Sequence, residues 1–578
     1  MSIGCGAWRR GVVSMAGIIE RTCRATRSWQ RCRERSGRPR PGTLRLRIES
    51  PPTRARRACE EVPRRMSPCR VAGMPSPALP ATAFLHGWHR CDPARRNVPV
   101  PASHHLMLTT DSPVPENAVP ADTASAAVAP GVMLCIASGQ SLPNVLPLQV
   151  RAWDRLVIYA SRDMRAAAQR LELVAGVMRR MRGHPASDCC EIVALPEDRS
   201  YRSLATFAAQ EVERLSGVYP RHRLSFNATG GQKTMTLAFA QALRGRADIF
   251  YCQTERDCIE QIEPLGPDQA LPAALLDLYA YLSVQGYVIK GCVPLDDARA
   301  LEDVRRRARL TSTLVHKVGE LRRQFPDVPS TFPKGSPRSV LGALHGAAVA
   351  ACEATHQTRA MPFPARQPLA LPGESDWWAV LLDEATSCGV LQTWTREGND
   401  IVLTFSDHNA AAYLAGGYLE EYVHLAVHAL GLPPGAAARG VHMDLLERHR
   451  ERDGRDFNEL DIAITWRNRL LILECKAGRQ LLDPGKSQDI LNKLGLLKSQ
   501  VGGNYGHAWV LTTAKVDEQY HAHILERART AQLEVVDGPK LRNLPQRLAQ
   551  ALDWPRPPAA DWIEPPLSLR KTGTAAAR

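Results

Sequence analysis

The chain has 578 residues, enough for two or three domains with substantial cores, and a formal net charge of +15. That charge sits at one end: residues 1–106 hold 21 Arg, no Lys and 6 acidic residues, while the remainder balances 53 basic against 53 acidic residues. The basic pI is therefore no argument for a nucleic-acid partner of the main body, and no stretch has the apolar length of a secretory signal or a membrane span. Nine Cys follow residue 106 with only Cys189 and Cys190 adjacent, which excludes a recognisable zinc site or disulfide framework. A reduced, cytoplasmic protein with no membrane partner is expected.

Residues 1–127 form an Arg- and Pro-rich extension with no sustained helical or strand period. Such a segment buries too little apolar surface to offset chain entropy. It reads either as a disordered basic arm or as non-native sequence preceding a start at Met107. From 128 to 292, apolar runs alternate with helical patterns. Strands are predicted over 132–137, 155–160, 191–195, 223–227 and 248–252, and helices over 163–182, 201–216 and 233–243. Continuous apolar strands separated by helices predict a mostly parallel sheet covered on both faces, a Rossmann-like α/β domain.

In that architecture ligands sit at the carboxyl ends of strands, on loops that feed helix N-termini. Two loops fit. One is Ser138-Gly139-Gln140-Ser141-Leu142-Pro143-Asn144, after the first strand; the other is Asn227-Ala228-Thr229-Gly230-Gly231-Gln232-Lys233-Thr234. Paired glycines let backbone approach an anion, and Thr, Lys and helix-start amides supply donors. The same composition also suits a tight strand-to-helix turn with no ligand. Gln232 and Asn227 stand where an ATP-binding Walker A loop needs Gly. The run Asn-x-Thr-Gly-Gly-x-Lys-Thr-Met resembles the signature of CRISPR-associated Rossmann-fold (CARF) domains, and Gly-Gln-x-x-Pro-Asn resembles their other ligand loop. The resemblance implies a homodimer that binds a cyclic oligoadenylate made by a type III CRISPR complex. It also implies a pocket lined by Gly139, Gln140, Asn144, Thr229, Gly230, Gly231, Lys233 and Thr234, with Ser161 as a further candidate.

Residues 293–370 are expected to be a helical connector, with a helix over 301–323, a Pro-rich loop over 325–339 and an Ala-rich helix over 340–353. The basic groups Arg305-Arg306-Arg307 and Arg322-Arg323 read as a solvated helix face before they read as a nucleic-acid contact. A second α/β domain is expected over 373–550. A helix is predicted over 375–388, a hairpin or strand pair over 392–405 and a helix over 408–430, with Trp377, Trp378 and Trp394 as core. Beyond Trp554 the Pro-rich stretch and Ala tail, 555–578, read as disordered.

The chemistry concentrates in Asn458-Glu459-Leu460-Asp461 and Glu474-Cys475-Lys476. Two β-rich runs joined by Arg467-Asn468-Arg469 predict a hairpin, in which Glu459 and Asp461 share a face, as do Glu474 and Lys476. Carboxylates gathered against a core call for a cation, and hard oxygen ligands suit Mg²⁺ or Mn²⁺. A helix over 487–501 and a strand over 508–512 follow. Asp-x12-Glu-x-Lys resembles the PD-(D/E)xK nuclease core, with Leu460 in place of the usual Pro. Gly416-Gly417-Tyr418-Leu419-Glu420 resembles that family's Gly-x-Trp-Leu-Glu element, with Tyr for Trp. The resemblance implies Glu420, Asp461, Glu474 and Lys476 as catalytic residues, and Asp461, Glu474 and the Cys475 carbonyl as metal ligands. Glu421 reads as solvated; Glu459 is either a supporting or an exposed acid, and Lys493 either contacts phosphate or lies free on the surface.

A CARF domain followed by such a nuclease resembles the CRISPR ancillary nucleases. This implies cleavage of DNA or RNA, activated by cyclic tetra-adenylate. Two alternatives from other classes stand beside it. One is a repair-type nuclease with a Rossmann scaffold that binds no nucleotide. The other is a regulator without catalysis that responds to cyclic oligoadenylate and binds nucleic acid.

Overall fold

The computed structural model describes residues 131–569, apart from 182, 184–188, 324–338, 359–362, 364, 370–377, 398–399 and 446–457. The expectations for residues 1–127, the loop at 325–338, Trp377 and the last residues of the tail lie outside the described residues.

The first sheet forms as the apolar runs dictate. Strand β1 (Gly131–Ile136) is followed by helix α1 (Leu142–Val150), β2 (Arg155–Ala160), α2 (Arg165–Met181), β3 (Cys190–Ala194), α3 (Tyr201–Val218), β4 (Arg223–Asn227), α4 (Lys233–Leu243) and β5 (Ala247–Gln253). The order β3-β2-β1-β4-β5 is parallel throughout, and β6 (Cys258–Glu263) and β7 (Gln269–Ala270) extend it antiparallel. Strand order therefore reverses between β1 and β4. That switch point brings together the two loops singled out from the sequence. The first of them is shorter than expected: helix α1 begins at Leu142 and takes Asn144 into its first turn.

Helix α5 (Leu278–Val284) leads into β8 (Tyr287–Pro294), which corrects the expected boundary at 292. Strand β8 joins the second sheet, pairing antiparallel with a strand about 150 residues later in the chain, a partner that no local pattern reveals. The connector then runs through α6 (Ala298–Arg306), α7 (Ala308–His316), α8 (Val318–Leu321) and α9 (Val340–Thr358). The predicted continuous helix over 301–323 is thus broken at Arg307 and Lys317, where ψ rises to about 0° and 15°. Next come β9 (Arg366–Leu369), α10 (Ala379–Ser387), β10 (Leu391–Glu397) and β11 (Asp400–Phe405), which form a small antiparallel sheet with β11 in the middle. Strand β9 thus falls within the last residues of the expected connector, 293–370.

The predicted 408–430 helix is α11 (His408–Ala412), a π turn (Tyr413–Gly417) and α12 (Tyr418–His428). Gly416, at φ 149°, breaks the helical path. Strands β12 (Ala437–Leu445), β13 (Asn458–Trp466) and β14 (Arg469–Lys476), helix α13 (Pro484–Gly502), β15 (Gly506–Thr512), α14 (Ala522–Thr530) and β16 (Glu534–Val536) complete the second sheet, in the order β16-β15-β14-β13-β12-β8. The β13–β14 hairpin closes through Arg467 and Asn468, both with φ near +50°, the two-residue turn that matches strand twist. Helix α13 starts earlier than expected because Asp483 accepts from the Gly485 and Lys486 amides and Pro484 occupies the first turn.

One core joins the connector to the second sheet. Leu310, Leu314 and Leu344 pack in the same apolar cluster as Trp378, Tyr422, Ile462 and Leu473. The expected disordered tail is also corrected within 555–569. Leu567 is buried there, its amide donates to Thr313 Oγ1 at 2.9 Å, and Trp562 and Ile563 pack against the cluster. A Pro-rich segment needs few backbone partners, and these apolar side chains supply its anchorage.

His424 on α12 lies fully buried, with Nε2 3.1 Å from the Leu295 carbonyl and no partner for Nδ1. Burial, reinforced by Arg439, pushes its pKa down to about 4. Between pH 6.5 and 4 the unfolded chain binds a proton that folded His424 refuses, so stability falls as pH falls through this window. The expected contribution is a loss of about 2 kcal/mol between pH 7.5 and 5. Thermal melts of the parent and His424→Gln check it: the variant should lose less on acidification, and equal losses would remove His424 as the cause.

Candidate functional site

Two constellations result, one in each sheet. At the switch point, buried Asn227 ends β4 and ties the loops together. Its Nδ2 donates to the Pro143 carbonyl (2.8 Å) and to Asn144 Oδ1 (3.1 Å), while its Oδ1 accepts from Thr229 N and Oγ1 (3.1 and 2.6 Å). Asn144 Nδ2 donates to the Ile136 carbonyl at 3.0 Å, and Thr229 Oγ1 accepts from Cys252 N at 2.7 Å. Asn144 and Thr229 thus spend their polar atoms on the frame. A Cβ at Gly230 would collide with the Ile136 carbonyl oxygen, and Gly231 stands at φ +84° with a Cβ position 2.6 Å from Ile136 Cγ2. Only glycine lets this loop cross over the end of β1.

Gly139, Lys233 and Thr234 are exposed, and Ser161 is buried at the end of β2. Gln232 starts α4 without a side-chain cap, so the amides of its first turn point outward beside Lys233 and Thr234. Gln140 turns elsewhere: its Oε1 accepts from the Asn504 amide at 3.3 Å, in the turn that ends α13.

The second constellation lies at the open end of the β13–β14 hairpin. Pairing stops at Ile462 opposite Leu473, and Asp461 Oδ2 then accepts from Cys475 N at 2.7 Å. Lys476 Nζ lies 2.6 Å from Glu474 Oε1 and 3.5 Å from Asp461 Oδ2, with all three side chains at most 15% exposed. Lys476 Nζ also donates to the Cys475 carbonyl at 3.2 Å, the oxygen expected to face a metal. Burial alone would lower the Lys476 pKa, but Asp461 and Glu474 outweigh it and hold the ammonium above its ordinary value.

The carboxylates show the opposite strain. Burial, then Asp461 and Glu459, push Glu420 up to about 8. Burial and Asp461 raise Glu474, and burial raises Glu459 despite His442. A single ammonium leaves the cluster short of positive charge, and its donors are hard carboxylate oxygens. That set fits Mg²⁺ or Mn²⁺.

Glu421 departs from expectation. It is buried rather than solvated, and accepts from Arg307 Nε (3.0 Å) and Nη2 (2.5 Å), with Arg439 Nη1 at 3.9 Å. Sequence reading also missed Arg439 and His442 on β12, the latter with Nε2 3.6 Å from Glu459 Oε1. Gly440, at φ +54°, interrupts β12, and the register shifts between Arg439 and His442, which hid its period of two. Lys493 is exposed on α13, and its charge reaches Glu459 and Glu474.

An acidic cluster with one lysine thus lies on a mixed sheet beside helix α12. Residues 407–554 match the model of the Card1-like endonuclease domain, so the C-terminal part of the chain carries an endonuclease domain of that type. Among solved structures the chain is similar to protein VC1899 from Vibrio cholerae. Identity is 19% and the TM-score 0.56, over 73% of this chain and 98% of that one. Can2 from Sulfobacillus thermosulfidooxidans, solved in complex with cyclic tetra-adenylate, matches at 17% identity and a TM-score of 0.49, over 74% of this chain and 97% of that one. No curated protein matches. The fold is mixed α/β, and no helix among the described residues is long and apolar enough to cross a membrane.

Proposed function

We propose that the chain is a metal-dependent nuclease of type III CRISPR defence, switched on by a cyclic oligoadenylate, cyclic tetra-adenylate first among them. It acts in the cytoplasm as a homodimer, with residues from β1 to β7 as sensor and the second sheet as effector. The observation that carries the reading is the convergence of Asp461, Glu474 and Lys476 at the end of one hairpin, with Glu420 close enough to share their field. Asp461, Glu474 and Glu420 would hold Mg²⁺ or Mn²⁺, which supplies positive charge to the phosphodiester and acidifies water. Lys476, kept protonated by its two carboxylates, positions the attacking water and offsets charge on the phosphorus, rather than serving as the base.

On the sensor side, Gly230 and Gly231 bring backbone to the strand ends, and the first turn of α4 offers amides with Lys233 and Thr234. The ring would lie against these groups and Gly139, while Asn144 and Thr229 keep the loops in place. Gln140 links this loop to the effector through Asn504. A ligand that displaces Gln140 has a differential contact with which to shift the effector, as any switch requires.

Incubating the protein with Mn²⁺ and single-stranded DNA, RNA or plasmid, with cyclic tri-, tetra- or hexa-adenylate in turn, tests the proposal. Cleavage should rise at least about tenfold with one ring size, a population shift of roughly 1.4 kcal/mol. Cleavage indifferent to every ring would leave a nuclease with a Rossmann scaffold. Ligand binding without cleavage would leave a regulator.

A further inference from the structure

Arg322 closes α8, in the connector, yet its guanidinium lies at the carboxyl ends of β14 and β15. Nη2 donates to Thr513 Oγ1 at 3.4 Å, and the same oxygen accepts from the Gly478 amide at 3.1 Å. Nη2 is also 3.9 Å from the place a Cβ on Gly478 would take, two residues beyond Lys476. The buried Tyr418 hydroxyl bonds to Thr513 as well. This side chain is half-buried, whereas Arg323 beside it is exposed, so only the second fits the solvated face read from the sequence.

What surrounds Arg322 is unusual for a half-buried arginine. Arg307, Arg467 and Arg214 each meet a carboxylate, at Glu421, Asp257 and Glu211. Among the described residues no Asp or Glu pairs with Arg322 or with Arg479. Tyr418 and Arg479 act on its charge, as it acts on His345, and burial together with Arg479 lowers the pKa of Arg322. One long hydrogen bond to a threonine hydroxyl does not offset the loss of hydration of a guanidinium that sits beside Gly478 and feels the charge of Arg479, the next residue. An anion would, and Arg presents a fork suited to phosphate oxygens.

We propose that Arg322 and Arg479 form a phosphate subsite for the nucleic-acid backbone, holding a phosphodiester next to the one addressed by Lys476. The subsite rests on the nuclease reading, and it gives the connector a direct part in gripping substrate. Thr513 and Gly478 fix its position against the strand ends that carry Glu474 and Lys476.

The test uses the full chain in a Glu474→Gln background, so that substrate is bound and not cut. Fluorescence anisotropy with labelled single-stranded DNA and RNA is followed across a potassium chloride series. Arg322→Ala and Arg479→Ala should each weaken binding about tenfold and reduce the slope of log K against log salt by about 0.7. Arg322→Lys, which keeps the charge and loses the fork, should keep the slope and lose part of the affinity. A purely structural Arg322 would lower the melting temperature and leave both slopes at the parental value, which would overturn the subsite while the nuclease reading stands. Should Arg322→Ala fail to fold, the exposed Arg479→Ala decides it by its slope, and Arg322→Lys by whether affinity falls at an unchanged melting temperature. A parent that binds no nucleic acid with cyclic tri-, tetra- and hexa-adenylate added in turn would overturn the nuclease reading together with the subsite.

Discussion

Glu474→Ala is expected to reduce cleavage by on the order of 10²-fold or more, while leaving the protein about as stable as before. The two halves of that expectation come from one geometry. Glu474 holds Lys476 at 2.6 Å and would share the ion with Asp461, so its loss removes a ligand and unseats the ammonium. Yet burial and Asp461 already make its ionised form costly. Removing a repelled carboxylate relieves the cluster, whereas removing Lys476 would take away the ammonium that sits against Glu474 and Asp461. Lys476→Ala should therefore lose both cleavage and melting temperature, and the contrast is the diagnostic. Cleavage assays with Mn²⁺, calorimetric titration of Mn²⁺ and thermal melts on both variants read it out. Wild-type cleavage by Glu474→Ala would remove the hairpin from the active site.

The hairpin was legible because its signals are local. Consecutive apolar, β-rich runs from Ile462 to Trp466 and from Leu470 to Leu473 flank a turn whose Asn468 tolerates positive φ. The parallel sheet was legible for the same reason, since β1 and β2 are buried on both faces and read as unbroken apolar runs. What escaped depends on partners far along the chain. Two adjacent helical acids, Glu420 and Glu421, look alike until Arg307, 114 residues away, is seen to claim the second. Strand β8 follows the first domain in sequence and hydrogen bonds into the other sheet. The Pro-rich tail carries too few apolar residues to signal a fold, and only the groove beside Thr313 explains its order. Sequence therefore located the candidate site groups better than the groups that hold them.

Arg307→Ala should destabilise the effector by about 3–5 kcal/mol, because it strands Glu421 as a buried charge. Both partners are largely hidden, at 19% and 8% side-chain exposure, so water cannot replace the pair. Arg439, 3.9 Å from the same carboxylate, would take up part of the charge and place the loss toward the lower end. Arg307 stands at the break between α6 and α7, and Glu421 sits one residue from Glu420, so the pair also fixes how α12 is turned. Glu421→Gln should keep more stability than Arg307→Ala, since a neutral amide tolerates the loss of its partner better than a carboxylate does. A double variant, Arg307→Met with Glu421→Met, should recover much of the loss by replacing two desolvated charges with apolar packing. Denaturant melts on the parent and the three variants rank these losses, and cleavage assays separate the pair's two roles. If the double variant regains stability without cleavage, the pair orients Glu420. If it regains both, the pair is an anchor and nothing more. An Arg307→Ala protein as stable as the parent would show that Arg439 alone suffices, and that the connector is tied to α12 by packing around Leu310 and Leu314 instead.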